Sequence, residues 1–190
     1  MDSWWNCVRE LNNMEYIQKI GDYDVYVLNK EVATTYIDEI MNLVNLIPMV
    51  SYSKEDILAD SKIERDFLGK WEHSLIVLHN NKPIAIIIGY ERKKENNDQY
   101  PTNTLYISEL AVDEMYQGKG LAKQLIQCFL DINQSFLYLT GDISISVQTN
   151  AADWNAKVIS LYKSFGFQQI STKQYDNRLD VVLQLKPRYL

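Results

Sequence analysis

A glycine-containing segment between a predicted strand and a predicted helix is the part of this sequence best suited to bind an anion. The segment comprises Leu110, Ala111, Val112, Asp113, Glu114, Met115, Tyr116, Gln117, Gly118, Lys119, Gly120, Leu121, Ala122 and Lys123. Such a turn exposes unpaired backbone N–H groups at the positive end of a helix dipole. Gly118 and Gly120 permit close backbone approach, and Lys119 and Lys123 add charge at the rim. The turn alone leaves two interpretations open, a phosphate site or a tight connection.

Two common nucleotide-binding signatures do not fit this turn. The dinucleotide fingerprint needs a third glycine, which the run from Gly118 to Lys123 lacks. A P-loop needs a Gly-Lys-Ser/Thr ending whose hydroxyl binds magnesium, and no such ending follows. Both nucleotide interpretations are therefore weakened.

A second segment lies further along the chain and completes a recognisable pair of blocks. It reads Asn155-Ala156 and then Leu161-Tyr162-Lys163-Ser164-Phe165-Gly166-Phe167, whereas the first block reads Gln117-Gly118-Lys119-Gly120-Leu121-Ala122. The two blocks resemble R/Q-x-x-G-x-G/A and N-x-x-A/V-x-x-L-Y-x-x-x-G-F of the GNAT superfamily of acetyl-CoA-dependent N-acetyltransferases. Two blocks in the correct order are far more specific than one. The resemblance is firm over residues 105–167 and loose over residues 23–90.

The resemblance implies acetyl-CoA as co-substrate and no metal. Its pyrophosphate would lie on the turn from Gln117 to Ala122, and its pantetheine arm would pair like an extra strand with Leu110, Ala111 and Val112. The side-chain amide of Asn155 would hydrogen-bond the arm. The alternative for Asn155 is a place in the first turn of a helix capped by Asp153.

Acetyl transfer to an amine needs a free amine, a stabilised oxyanion and a protonated thiolate leaving group. The resemblance implies that Tyr162 is the general acid and that a backbone N–H near Leu110 holds the oxyanion. Because a phenol is a weaker acid than a thiol, Tyr162 would first hydrogen-bond the developing thiolate and then complete proton transfer. Without the resemblance, Tyr162 is one more member of an apolar helix stripe.

The resemblance makes Glu109 the candidate general base, because it lies at a fourth-strand position where some relatives carry a carboxylate. Strand alternation places it on the face opposite Leu110, where its side chain either lines the cleft or is solvated, and we favour the cleft. Some relatives instead use a glutamate on the following strand, but the matching position here is Ser146. The missing carboxylate leaves open a non-catalytic acyl-CoA-binding regulatory domain.

Hydrophobic periodicity predicts the elements that position these residues. Helices are expected at about 31–47, 53–68, 118–132 and 154–165, the first stopped by Pro48 and the last capped by Gly166. Strands are expected at 23–28, 73–78, 83–90, 104–112, 143–147, 167–170 and 179–185. This order predicts an α/β fold, a GNAT-like, mostly antiparallel mixed sheet of about seven strands flanked by helices.

Composition excludes several partners and compartments. Nineteen Lys and Arg against 25 Asp and Glu give a net charge of −6, so the chain lacks the cationic excess that nucleic acid requires. No apolar run is long enough to span a membrane. Cys7 and Cys128 form no CxxC pair, and a cytoplasmic location is expected.

His73 and His79 have no carboxylate cluster around them, and both are interpreted as structural.

The sequence thus predicts a single N-acetyltransferase domain over residues 1–190, with residues 1–20 as an N-terminal extension. The predicted acceptor is a primary amine of a small molecule, and a peptide or protein N-terminus is the alternative. Carboxylates in the two N-terminal helices mildly favour a cationic amine, although solvated helix faces are the preferred explanation of these charges: Asp38, Glu39, Glu55, Asp56, Asp60, Glu64 and Asp66. Trp4, Trp5 and Trp71 could line a pocket or a homodimer contact.

Overall fold

The computed structural model of the chain describes residues 14–49, 51–62, 65–93, 103–140 and 143–186. Trp4, Trp5 and Cys7 lie outside these residues.

Within the described residues, eight strands form one mixed sheet and two short strands form a second. The strands are β1 (Tyr16–Ile20), β2 (Tyr23–Val27), β3 (Ser61–Lys62), β4 (Arg65–Asp66), β5 (Leu75–His79), β6 (Lys82–Arg92), β7 (Thr104–Val112), β8 (Ser144–Asn150), β9 (Gln168–Gln174) and β10 (Leu179–Leu185). The large sheet has the order β1-β2-β5-β6-β7-β8-β10-β9, and β3 pairs with β4. Adjacent strands of this sheet are antiparallel, except for β7 and β8, which are parallel. The predicted fold class is confirmed, with eight strands instead of about seven because residues 16–20 add an edge strand.

Helices cover both faces of the large sheet. The described helices are α1 (Lys30–Thr35), α2 (Ile37–Val44), α3 (Lys54–Leu58), α4 (Lys70–His73), α5 (Leu121–Ile132), α6 (Gln134–Thr140) and α7 (Ala156–Ser164), with 3-10 turns at Glu114–Tyr116 and Asp153–Asn155. Because strand side chains alternate between faces, Ala85 and Ile87 pack on the side of α5, whereas Ile86 and Ile88 pack on the side of α1 and α2. The sheet therefore separates two apolar cores.

The long helix predicted from residue 31 to 47 is wrong, because it is two helices. Tyr36, the residue between α1 and α2, has φ −104° and ψ 23°, outside the helical region. The second helix then ends at Val44, before Pro48. The described residues between α2 and α3 belong to no helix or strand.

The helix predicted from Ser53 to about Leu68 is also too long. Its start is as expected, since Ser53 and Asp56 form a reciprocal capping box. It ends at Leu58 because Lys70 takes the carbonyls that another turn would use: its Nζ donates to Ile57 O at 2.6 Å and to Ala59 O at 2.9 Å. The chain then forms β3, β4 and α4, so His73, predicted to begin a strand, ends a helix instead.

Candidate active site

A β-bulge in β7 sets the direction of the Glu109 side chain. Ile88 of β6 faces Glu109, but the next residue, Gly89, faces Ile107, so Ser108 is an extra residue in β7. A bulge shifts the alternation of side chains by one position. Glu109 therefore lies on the face of Ile88, beside α1 and α2, whereas Ile107 lies on the face of α5.

A cavity of about 320 Å³ opens on the face that carries Glu109. Its walls come from the loop between α2 and α3, from β6, β7 and β8, and from the hairpin between β9 and β10. They comprise Ile47, Pro48, Met49, Tyr52, Asp56, Ile57, Phe67, Lys70, Ile88, Tyr90, Arg92, Tyr106, Ser108, Glu109, Gln148, Thr149, Asn150, Trp154, Asn155, Arg178 and Asp180. The mixture of aromatic and charged side chains suits a small polar guest.

Glu109 is buried in this cavity, with 5% of its surface exposed. The Ser108 hydroxyl donates to its Oε1 at 2.7 Å, and the Tyr52 hydroxyl also bonds the carboxylate. Burial raises the pKa of Glu109, while these hydrogen bonds and the positive charges of Lys70 and Arg92 act in the opposite direction. A carboxylate with a raised pKa is a stronger base than an exposed one, which suits removal of a proton from an ammonium group.

The basic side chains beside Glu109 are held by the protein itself. Lys70 is buried and anchored on the end of α3. The Arg92 guanidinium lies 3.3 Å from the centre of the Tyr106 ring and donates to the Tyr90 hydroxyl at 2.7 Å. The positive charges of both side chains stabilise the ionised form of Glu109.

The other end of the cavity contains an ion pair. Asp180 is 3% exposed, and its Oδ2 lies 3.1 Å from Nη2 of Arg178 and accepts from Gln148 at 2.7 Å. Its Oδ1 has no hydrogen-bond partner among the described residues. Arg178 also donates to the carbonyl of Met49 at 3.3 Å and stacks on Tyr175. The β9–β10 hairpin is thereby joined to the loop after α2 across the cavity.

The two central strands separate at the site. Strands β7 and β8 pair only from Thr104 with Ser144 to Ile107 with Val147. Beyond this point the side of β7 that faced β8 has no partner strand among the described residues, and Leu110, Ala111 and Val112 lie on that stretch. Its backbone groups are available to an extended ligand, except that the Gln117 side chain donates to the Val112 carbonyl at 2.9 Å.

The glycine turn after β7 has the geometry of an anion site. Gly118 and Gly120 have φ values of 73° and 80°, where a side chain would be strained. No side chain caps the N-terminus of α5, so its first N–H groups point out of the helix without an intrahelical acceptor. A Cβ built on Gly118 would meet nothing within 4 Å, and Lys119 and Lys123 are exposed beside the turn. The turn leaves open space for a phosphate group.

Asn155 connects the end of β8 to α7. Its Nδ2 donates to Thr149 Oγ1 and to Asn150 O, each at 2.7 Å, and it also lines the cavity. The alternative that Asp153 caps the helix is wrong, because Asp153 lies inside the 3-10 turn and Asn155 itself occupies the cap position without a side-chain cap bond. Both Nδ2 hydrogens of Asn155 are thereby used within the protein.

Tyr162, the predicted general acid, is 2% exposed on α7, and its ring packs edge-on against Phe167 at 5.4 Å between centres. Burial raises the pKa of the phenol, and the negative charge of Glu109 raises it further. The phenol therefore stays protonated and can donate a hydrogen bond. The two predicted catalytic side chains, Glu109 and Tyr162, therefore interact electrostatically.

Ser146 occupies the strand position where some relatives carry a glutamate, and it is fully buried. Its Oγ accepts a hydrogen bond from Thr104 at 2.8 Å. This hydrogen bond fastens β7 to β8 just before they separate. Ser146 thus contributes to the shape of the site, and the buried carboxylate of β7 is Glu109.

Most of the remaining charged candidates lie outside the cavity. Of the described carboxylates of the N-terminal segment, Asp56 alone lines the cavity, whereas Asp38 and Asp60 form ion pairs with exposed lysines; Glu64 lies outside the described residues. His73 and His79 hydrogen-bond Asn133 and Tyr116. No cluster of three or more metal-ligating side chains occurs in the described ranges, and none of their helices is long and apolar enough to cross a membrane.

Comparison with known proteins decides the family. The family described as acetyltransferase (GNAT) matches residues 37–167, more than half of the chain. The chain belongs to the GNAT acetyltransferase family. Membership in this family agrees with the predicted acyltransferase class. The match includes the glycine turn, Glu109 and Tyr162.

The GNAT relatives act on different acceptors. The spermine/spermidine N(1)-acetyltransferase of Bacillus subtilis is 29% identical over 98 residues, which cover 47% of this chain and 61% of the relative, less than two thirds of its length. The ribosomal-protein-S18-alanine N-acetyltransferase of Escherichia coli has a TM-score of 0.61 at 18% identity, covering 86% of this chain and 92% of the other. NAA60 of Arabidopsis thaliana, solved with acetyl-CoA, has a TM-score of 0.63 at 13% identity, with coverage of 86% and 97%.

Sequence reasoning did not identify several residues of this GNAT site. Tyr52 follows Pro48 in a loop without periodicity, and the bulge at Ser108 leaves no trace in hydrophobic patterning. Asp180 gave a weak signal, since it is a charged residue within the largely apolar run of β10. A charge at a buried strand position is rare enough to indicate a site.

Proposed function

We propose that the chain transfers an acetyl group from acetyl-CoA to the primary amine of a small molecule by direct attack in a ternary complex. The observation that supports this most strongly is the buried carboxylate of Glu109 in a small cavity next to the unpaired stretch of β7. The proposal treats residues 1–190 as one acetyltransferase domain that acts in the cytoplasm.

The donor side of the site fits coenzyme A. The turn from Gln117 to Ala122 would bind the pyrophosphate through the N–H groups that open α5, with Lys119 and Lys123 beside it. The backbone of Leu110, Ala111 and Val112 would pair with the amides of the arm, and the side-chain oxygen of Asn155 would accept a hydrogen bond at its far end. When bound, acetyl-CoA supplies a thioester carbonyl that an amine can attack.

The protein's own groups would then move two protons. Glu109 would accept a proton from the acceptor ammonium, directly or through water, because burial has made it more basic than an exposed glutamate. Tyr162 would donate its hydroxyl hydrogen toward the leaving thiolate. A backbone N–H near Leu110 would hydrogen-bond the carbonyl oxygen as negative charge develops on it.

The acceptor side favours a small amine over a peptide. The loop after α2 crosses the cavity and is fastened at Met49 by Arg178 and by Asn150, whose Nδ2 lies 3.6 Å from the Met49 sulfur. A cavity of about 320 Å³ under this loop accommodates a slender molecule. The curated relative from Bacillus subtilis has a small polyamine in its name. A homodimer remains a prediction, which light scattering would test.

The test is release of coenzyme A thiol from acetyl-CoA in the presence of alkylamines, diamines, aminoglycosides and short peptides. We expect turnover with at least one small amine and little with peptides. Turnover with peptides alone would establish the N-terminal acetyltransferase alternative suggested by the Escherichia coli neighbour's name. Coenzyme A binding by calorimetry without turnover on any acceptor would support the regulatory alternative.

A further inference from the structure

We propose that Asp180 forms a second cation subsite in the acceptor cavity, so that the preferred acceptor is a linear diamine or polyamine. The inference rests on the proposed function, because it concerns the acceptor of the same reaction. It assigns a specificity role to a residue outside the two sequence blocks.

The first argument is the unused hydrogen-bonding capacity of Asp180. This carboxylate is 3% exposed and lines the cavity. Gln148 and Arg178 both contact Oδ2, and Oδ1 has no partner among the described residues. A buried carboxylate oxygen without a donor is costly, and a charged donor on a ligand removes that cost.

The second argument is that the cavity's own cations are already engaged. Lys70 donates to two backbone carbonyls, and Arg92 to the Tyr90 hydroxyl. Arg178 bonds the Met49 carbonyl and Asp180. The cavity is also lined by the aromatic side chains of Phe67, Tyr90, Tyr106 and Trp154. Aromatic faces and an unfilled carboxylate oxygen together suit an ammonium group on a methylene chain.

The third argument is spacing. Asp180 pairs with Asn150 of β8, the strand that lies between β10 and β7, so Asp180 is two strands away from Glu109. Paired strands are about 4.8 Å apart, and β7 and β8 have already separated at the level of Glu109, so the two carboxylates are separated by roughly 10 Å or more. A linear molecule with a positive charge at each end can reach both, placing one nitrogen at Glu109 for acetylation and the other at Asp180.

A competing class of acceptor is defined by Arg178, whose Nε is also buried without a hydrogen-bond partner among the described residues. An acceptor with a terminal carboxylate would use this N–H instead. Three compounds of equal length separate the classes: hexanediamine, aminohexanol and aminohexanoic acid. If Asp180 is a cation subsite, kcat/KM for the diamine exceeds that for the amino alcohol by about tenfold or more. Equal values, or the highest value for the amino acid, would overturn the proposal.

The Asp180→Asn variant tests the residue itself. We expect the diamine-to-alcohol ratio of kcat/KM to fall about tenfold, and calorimetric binding of hexanediamine to the coenzyme A complex to weaken by a similar factor. Asp176→Asn removes the same charge from an exposed position on the same hairpin and should leave the ratio unchanged. An unchanged ratio in Asp180→Asn would refute the subsite.

Failure of this inference differs from failure of the proposed function. If the wild type acetylates all three compounds at similar rates, only the role of Asp180 is lost. If it acetylates none of them nor any other amine, the proposed function is lost as well. The wild-type ratio decides the question even if the variant does not fold.

Discussion

The hydroxyl of Tyr52 hydrogen-bonds the buried carboxylate of Glu109 and thereby joins the loop after α2 to the bulge of β7. Burial and the charge of Glu109 raise the pKa of the Tyr52 phenol, so it donates its proton in this bond at all working pH values. The candidate base is therefore oriented by a residue far from it in sequence. This contact makes the pH dependence of the reaction sensitive to the loop.

Tyr52→Phe should shift the acidic limb of the kcat/KM profile to higher pH. Burial raises the pKa of Glu109, and the hydrogen bond from Tyr52 lowers it. Loss of this hydrogen bond should therefore raise the pKa of Glu109 further. The pH profile with the best acceptor of the panel measures the shift. Tyr138→Phe, at a residue 72% exposed on α6, is the matched control and should keep the wild-type profile. An identical profile in Tyr52→Phe would argue against Glu109 as the titrating base.

Glu109→Gln should lower kcat by roughly two to four orders of magnitude, the usual contribution of a general base. The amide keeps the shape of the side chain and can still accept hydrogen bonds from Ser108 and Tyr52. Coenzyme A affinity, measured by calorimetry, should stay within a few-fold of wild type. Full activity would remove Glu109 from the mechanism.

The same variant should be more stable than wild type at neutral pH. The pKa of Glu109 is higher in the folded state than in the unfolded state, so protonation of Glu109 favours folding. This contribution to the free energy of unfolding is complete below the unfolded-state pKa and is lost as pH rises through the folded-state pKa. Glutamine does not titrate and avoids the burial of a charge. We expect the gain in melting temperature to be larger at about pH 8 than at about pH 4, near the glutamate reference pKa. A gain independent of pH would point to packing instead.

Gly118→Ala should weaken coenzyme A binding more than it weakens the fold. A residue with φ of 73° is strained by a side chain, at a cost of about 1 kcal/mol. Gly21→Ala is the matched control, since Gly21 has φ of 61°, lies in the β1–β2 hairpin and, like Gly118, has open space around it. Both variants should lose similar melting temperature, but only Gly118→Ala should raise the Kd for coenzyme A. Equal affinities in the two variants would exclude the turn as the phosphate site.

Tyr162→Phe should reduce turnover by about a hundredfold with little loss of coenzyme A affinity. Phenylalanine preserves the edge-on packing against Phe167, so stability should change little. The comparison of kcat with the calorimetric Kd separates a role in chemistry from a role in binding. Unchanged rates would remove Tyr162 from the mechanism.

The sequence predicted the elements that carry the two family blocks because those elements combine periodicity with glycine signals. Strand β7, the turn at Gly118 and helix α5 lie where hydrophobic patterning expected them. The shortened helix α3 could not be predicted, because its end depends on Lys70, a residue more than ten positions away that acts through tertiary contact.

The candidate base was identified from its place in the strand, but its surroundings were not. The bulge at Ser108 depends on how β6 and β7 pair, and such a register shift has no local signature. Likewise, Tyr52 lines the cavity from the loop between α2 and α3, and Asp180 lines it from β10, two strands away from β7. Residues that converge only in three dimensions are beyond the reach of patterning along one chain.

The separation of β7 from β8 after Ile107 and Val147 has a consequence for the resting protein. Among the described residues, no strand pairs with the side of β7 that runs past Ile107 toward Val112, so amide hydrogens on that side should exchange rapidly with solvent until a donor molecule lies against them. Stability gained this way grows with the logarithm of ligand concentration. The resistance of this protein to heat and proteolysis should thus rise with the concentration of its acyl donor.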